Sequence, residues 1–320
     1  MRSTRPTPAA ALIPLLLLGA GPAHAYCRTS TTSTATVEGH VCTPAQADDS
    51  GLPLYWGMPR VTYSLQKDAS AGTPLATFRS VTREAFDAWM NADCGGEPPR
   101  IEVVEAEDAD CALHEYNKEL ANANILFFVD QAWDDDPGKL AVTTVTYNKN
   151  TGEIYDADMA LNSALWQFTA DGSGGIDLLS VLTHETGHFL GLAHSPEPGA
   201  TMDQTYSPPG VQDLRTLSDD DREGICAIYP PGEIAEGCDA TPRHGFSTLC
   251  ADDQPGPVPD EPPDDRCCCV DGDLCEDGLC VPAGCGCTTA PAPSLPWSAA
   301  LPIGALALTL ARRRARAQRG

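Results

Sequence analysis

Basic side chains are scarce in this sequence: 20 Lys and Arg stand against 45 Asp and Glu among 320 residues, a formal charge of −25. A surface of that sign repels the phosphates of DNA and RNA and the headgroups of anionic lipids, so a nucleic-acid partner is excluded. Apolar runs long enough for a comfortable membrane span are missing too. The uncharged stretch 295–311 would reach only about 25 Å as a helix, and Pro296 and Pro302 interrupt it. Residues 251–266, ADDQPGPVPDEPPDDR, have almost no apolar side chains and cannot build a core, so they are expected to form a stiff extended linker. Cysteine, by contrast, is plentiful. Fourteen Cys are too many for a reducing cytosol without a metal cluster, and they point to an oxidising compartment.

The two termini carry sorting patterns. Arg2 and Arg5 precede the apolar residues 11–18, and Ala23-His24-Ala25 closes the segment, which gives residues 1–25 the tripartite form of a secretory signal peptide cleaved before Tyr26. At the other end, Gly284-Cys285-Gly286-Cys287 is followed by the uncharged stretch and then by Arg312, Arg313, Arg314, Arg316 and Arg319. That order resembles the MYXO-CTERM type of bacterial sorting tail. The resemblance implies retention during export, removal of residues 288–320 and lipid attachment at Cys285 or Cys287, and therefore a place at the bacterial cell surface or outer envelope, or secretion. The other reading of the tail is a permanent anchor. Membrane contact is expected only through this tail or a lipidated Cys.

Between the ends, residues 26–51 are Thr- and Ser-rich and read as an irregular arm. Residues 54–65 end in strand-like alternation, and Thr73-Pro74 opens a helix whose Phe78, Val81, Ala85 and Trp89 share one core-facing stripe. Short β-type runs follow at 101–104 and 125–129. Residues 141–147 alternate, and 148–152 form a hairpin turn into 153–161. From Ile176 the apolar period changes to that of a helix running toward Gly191. Ser218 and Asp221 bracket an acidic helix start, and Pro230-Pro231-Gly232 ends that helix. Residues 232–266 read as loop and linker. Seven Cys within 267–287 then require disulfides to hold the segment, zinc thiolate ligation being the other reading.

The chemistry is concentrated in His184-Glu185-Thr186-Gly187-His188. Two imidazoles four residues apart lie on one helix face and can reach a single metal ion. Glu185 stands beside the first of them, within reach of a water on that metal. Gly191 lets the chain leave the helix in a left-handed conformation, and His194 returns as a third imidazole. Three neutral nitrogens with one open position describe a catalytic Zn²⁺ site, whereas four protein ligands would describe a structural one.

HETGHFLGLAHS resembles the metzincin zinc metalloproteases, and Ser195 after the third His makes the likeness closest to the matrixins. Met202 sits where matrixins have the methionine of the Met-turn, and Tyr206 matches as well. The resemblance implies an α+β fold over residues 52–231: a mixed twisted sheet with an edge strand, an active-site helix, a Met-turn and a C-terminal helix, with the small disulfide-rich segment beyond. It implies an endopeptidase with one catalytic Zn²⁺ on His184, His188 and His194, Glu185 as general base, and a protein or peptide substrate extended along 141–147. It implies, further, that residues 203–216 wall the pocket beyond the cleaved bond. The chain departs from the family in three ways: Val142 and Tyr155 stand near where vertebrate members place histidines of a second zinc, no P-R-C-G switch precedes residue 52, and no Tyr follows Met202 by two residues. A monomer is expected. The reading from another class is an inactive surface-displayed binding protein that uses its Cys-rich segment.

Acidic residues raise a calcium expectation. Asp134-Asp135-Asp136, and above all Asp156 with Asp158, offer oxygen ligands for Ca²⁺, although no complete ligand loop is legible.

Overall fold

The computed structural model describes residues 26–32, 51–205, 212–235 and 238–256, together with the backbone of two short strands at 273–276 and 279–282. The expected signal peptide, Cys42, Tyr206, most of the Cys-rich segment and the sorting tail lie outside the described residues. Among the described residues no helix is long and apolar enough to cross a membrane.

The elements run β1 (Tyr55–Trp56), β2 (Arg60–Leu65), α1 (Leu75–Met90), β3 (Glu102–Glu105), β4 (Ile125–Phe128), β5 (Ala141–Tyr147), β6 (Glu153–Leu161), β7 (Phe168–Thr169), β8 (Ile176–Asp177), α2 (Leu178–Phe189) and α3 (Asp219–Ile228). A separate antiparallel hairpin pairs β9 (Asp273–Glu276) with β10 (Leu279–Pro282), placing Cys275 opposite Cys280. In the main sheet β3, β2, β4 and β6 are parallel neighbours, β1 adds parallel to the start of β6, and β5 runs antiparallel to β6, its one partner strand among the described residues. Parallel neighbours need a crossover, and α1 supplies the one between β2 and β3. A tight turn suffices between β5 and β6, where Gly152 has φ +83° and a side chain would strike the Pro53 carbonyl. This mixed sheet with helices is the expected α+β architecture, and β5 is its antiparallel edge.

One face of the sheet carries the main core. Helix α1 buries Phe78, Val81, Thr82, Ala85, Phe86 and Trp89, the stripe expected from a 3.6-residue period. Trp89 is fully buried, and its indole N–H donates to the Thr183 carbonyl of α2 at 2.8 Å, so α1 fixes the height of α2 over the sheet. The opposite face is smaller: Ala109, Cys111, Ala123, Ile125, Phe127 and Ala160 form its core, with Phe246 and Cys250 packed against it.

The structure refines the sequence reading at three places. Helix α2 starts at Leu178, not Ile176, because Ile176–Asp177 pairs with β7 and the Asp177 carboxylate caps the helix, accepting from the Ser180 N–H at 2.9 Å. Residues 26–32 are irregular, as read, and they are docked. They lie along the exit of α2, with Thr29 N–H donating to the Gly191 carbonyl and Ala193 N–H to the Cys27 carbonyl, both at 3.0 Å. Residues 238–256, read as loop and linker, cover the second face: Asp110 and Cys111 donate their N–H groups to the Thr248 carbonyl, and Cys111 is bonded to Cys250.

A second disulfide joins Cys94, beyond the end of α1, to Cys226 of α3. The two bridges span 132 and 139 residues, and closing loops of that length removes enough unfolded-state entropy to stabilise the fold by roughly 4–5 kcal/mol each in the chain-entropy view. Cys27 and Cys238 are disulfide-bonded as well. Disulfides of this number form in an oxidising compartment, in keeping with an extracellular protein.

Candidate metal centre

Helix α2 sets His184 and His188 one turn apart on one face, with His188 buried and His184 half-buried. The helix ends at Phe189. Gly191 then takes φ +96°, and a side chain there would lie 2.8 Å from the Leu54 carbonyl oxygen, so this reversal requires glycine. The reversal brings His194 back. Its Nε2 lies 3.2 Å from Nε2 of His188 and 3.2 Å from Nε2 of His184.

Hydrogen bonding settles which nitrogens face inward. Nδ1 of His184 lies 2.7 Å from the Thr201 carbonyl, and Nδ1 of His188 lies 2.9 Å from the Leu192 carbonyl. A carbonyl only accepts, so both Nδ1 atoms carry the proton, and both Nε2 atoms present lone pairs to the centre. Lone pairs crowded at 3.2 Å repel one another unless a cation lies among them. Zn–N bonds of about 2.0–2.1 Å in tetrahedral geometry separate their nitrogens by roughly 3.3–3.4 Å, so the triad has the dimensions of a zinc site. Among the described residues the group has three members, which leaves one position for water or substrate.

Electrostatics favour neutral ligands. Burial, then the neighbouring His194 and His184, hold the His188 imidazole well below its ordinary range. Burial, then His184, push His194 down to about 3. Metal ligation needs unprotonated imidazoles, and burial favours that state at His188 and His194.

Glu185 is buried beside the triad. Its Oε2 accepts from the Thr143 hydroxyl of β5 at 2.6 Å. Burial raises its pKa, opposed by His184, the Thr143 hydrogen bond and the charge on Lys139. Met202 is 1 % exposed and packs against α2 at Gly187, where an added side chain would collide with the Met202 sulfur and come within 2.8 Å of Trp89.

Helix α3 holds the turn that carries Met202. Asp221 was legible only as a helix-start residue, and it does complete the capping box with Ser218. Its carboxylate also accepts from the N–H groups of Thr201 at 2.7 Å and Met202 at 3.0 Å. The adjacent Asp220 accepts from the Ser195 hydroxyl at 2.6 Å, next to His194. Sequence reasoning missed these roles, and it missed Thr143. An acid in a first helical turn reads as a cap, and a Thr in a strand reads as strand.

The candidate calcium ligands are placed elsewhere, on the second face of the sheet. Asp156 and Asp158 are both buried, and the described residues bring no third acid to within ligand distance of the pair. Asp158 accepts from the N–H groups of Ile125 at 2.8 Å and Glu115 at 2.9 Å, whereas Oδ1 of Asp156 has no hydrogen-bond partner among the described residues. Burial, then the charges of Asp158 and Glu115, raise the Asp156 pKa well above the carboxylate range. Its folded pKa exceeds its unfolded value, so the native state binds the extra proton. Its contribution to stability is complete below about pH 4 and is lost as pH rises toward the folded pKa. In calcium-free buffer the wild type should therefore lose stability relative to Asp156→Asn between pH 5 and pH 8, read as urea midpoints. A calcium-occupied pair would instead be ionised, and added calcium would raise the wild-type midpoint alone.

Comparison with known proteins adds sequence likeness to this geometry. The family model described as Matrixin matches residues 55–230. Matrix metalloproteinase-16 of Homo sapiens is 29% identical over 182 residues, 56% of this chain and 28% of the relative. Matrix metalloproteinase-25 is 40% identical over 79 residues in Mus musculus, 24% of this chain, and 43% identical over 65 residues in Homo sapiens, 20% of this chain; each match covers 12% of the relative. The chain thus matches little more than a quarter of the length of matrix metalloproteinase-16 and about an eighth of that of matrix metalloproteinase-25.

Proposed function

The chain belongs to the matrixin family, and from that premise we propose that it is an exported zinc-dependent endopeptidase whose metal is held by His184, His188 and His194. The observation that carries this reading is the convergence of three inward-facing Nε2 atoms at zinc-ligand spacing, with the Glu185 carboxylate beside them. A bound zinc ion would supply Lewis acidity, polarising the scissile carbonyl and lowering the pKa of a water.

The remaining steps belong to the chain. Among the described residues β5 pairs with β6, and an extended peptide can add as a further strand along the side of β5 away from β6. Glu185 removes a proton from the attacking water, whose oxygen bonds to the carbonyl carbon. The C–N bond then breaks, and Glu185 delivers that proton to the leaving nitrogen. Met202 and the Asp221 carboxylate keep the floor and the His184 partner in place without touching the reactants.

Export is supported by the signal-peptide pattern of residues 1–25 and by the disulfides, and surface retention by the MYXO-CTERM-like tail with Cys285 or Cys287. Intact metal ligands and an intact Glu185 weigh against an inactive binding protein. The test is a peptide-library digest with the purified chain. Cleavage should stop on addition of a zinc chelator and return on addition of zinc, and cleavage that persists without metal would refute the reading.

A further inference from the structure

Strand β5 turns Ala141, Thr143 and Val145 inward, so a hydroxyl stands in an otherwise apolar row facing the core. Burying a hydroxyl there is costly unless it has a partner. Thr143 Oγ1 lies 2.6 Å from Glu185 Oε2 and 3.3 Å from the Glu185 carbonyl oxygen. A hydroxyl has one proton to give, and the shorter contact, to the carboxylate, has the length of a charge-assisted hydrogen bond. Both residues are nearly inaccessible, at 5% and 7% exposed, so water is a poor substitute for either.

We infer that Thr143 is a positioning residue that fixes the Glu185 carboxylate and leaves Oε1 as the oxygen that handles the proton, an inference that rests on the endopeptidase reading above. Glutamate has three rotatable side-chain bonds, and a buried carboxylate with one oxygen tethered presents the other in a single orientation. The tethered oxygen is the weaker base, because it already accepts a hydrogen bond. Lys139 acts on Glu185 through its charge, and Thr143 acts by direct contact. Placing this group on the strand that would also bind substrate couples the position of the base to the position of the peptide.

The test compares Thr143→Val, which keeps the shape and removes the donor, with Thr143→Ser, which keeps the donor. Thr143→Val should lower kcat by about ten- to a hundredfold, the worth of one hydrogen bond to a charged group, with KM within about twofold. Thr143→Ser should recover most of the loss, and zinc content should stay at one ion per chain in both. A second readout needs no turnover: Thr143→Val should lower the thermal midpoint by several degrees in the wild-type background and have little effect in a Glu185→Ala background. An active wild type with unchanged kcat in Thr143→Val, or an equal thermal loss in both backgrounds, overturns the positioning role alone. A wild type with no chelator-sensitive cleavage removes the endopeptidase reading, and the positioning role with it.

Discussion

Glu185→Gln is expected to lower kcat for peptide hydrolysis by about a thousandfold while leaving zinc content and fold intact. General-base catalysis by a positioned side chain contributes roughly 10²–10⁴-fold, and this carboxylate is the acid or base beside the open position of the triad. The amide is nearly isosteric, and its oxygen can still accept from the Thr143 hydroxyl, so the packing between β5 and α2 is kept. What the amide cannot do is accept the proton of the attacking water. KM should change little, since Glu185 contributes no metal ligand and lies below the edge that would hold substrate. Steady-state kinetics with metal analysis would read both quantities, and a variant within tenfold of wild type would remove Glu185 from the chemistry.

Asp221→Ala should have the largest effect on the framework. Its carboxylate, 1 % exposed, accepts from the N–H groups of Thr201, Met202 and Ser218 and from the Ser218 hydroxyl. Removing it leaves buried donors unsatisfied, at a cost of about 1–3 kcal/mol for each that finds no water. A total of roughly 3 kcal/mol or more lowers the thermal midpoint by about 10 °C in a domain of this size. The damage should also reach the proposed metal site, because the Thr201 carbonyl holds His184 Nδ1 and Met202 packs beneath Gly187. Zinc affinity should therefore fall in step with stability. Thermal denaturation with and without added zinc would show both effects, and a variant as stable and as zinc-loaded as wild type would mean that neither the turn nor the metal site depends on Asp221.

The parts of this architecture that were legible in the sequence are those written into local spacing. His184 and His188 share a helix face because they are four apart, and Gly191 announces the reversal that returns His194. The α1 stripe and the alternation of β5 are likewise local periods. The unread parts are contacts between distant segments. Thr143 meets Glu185 across 42 residues, and Asp221 meets Met202 across 19, and nothing in either stretch alone signals the other. Cysteine count implied disulfides, but the pairing of Cys94 with Cys226 and of Cys111 with Cys250 depends on which faces the sheet leaves to cover. Residues 246–250 read only as loop because they contribute just Phe246 and Cys250 to a small core. Asp177 hid the start of α2 for a related reason: its capping role appears only once β8 pairs with β7.

The central claim is a zinc ion on three imidazole nitrogens, and X-ray absorption at the zinc edge of the purified chain tests it most directly. The account predicts one zinc per chain, with three nitrogen neighbours and an oxygen as fourth ligand, all at about 2.0–2.1 Å, and loss of that signal in His188→Ala. A chain that binds no zinc, or one whose zinc has sulfur neighbours and survives His188→Ala, would contradict it.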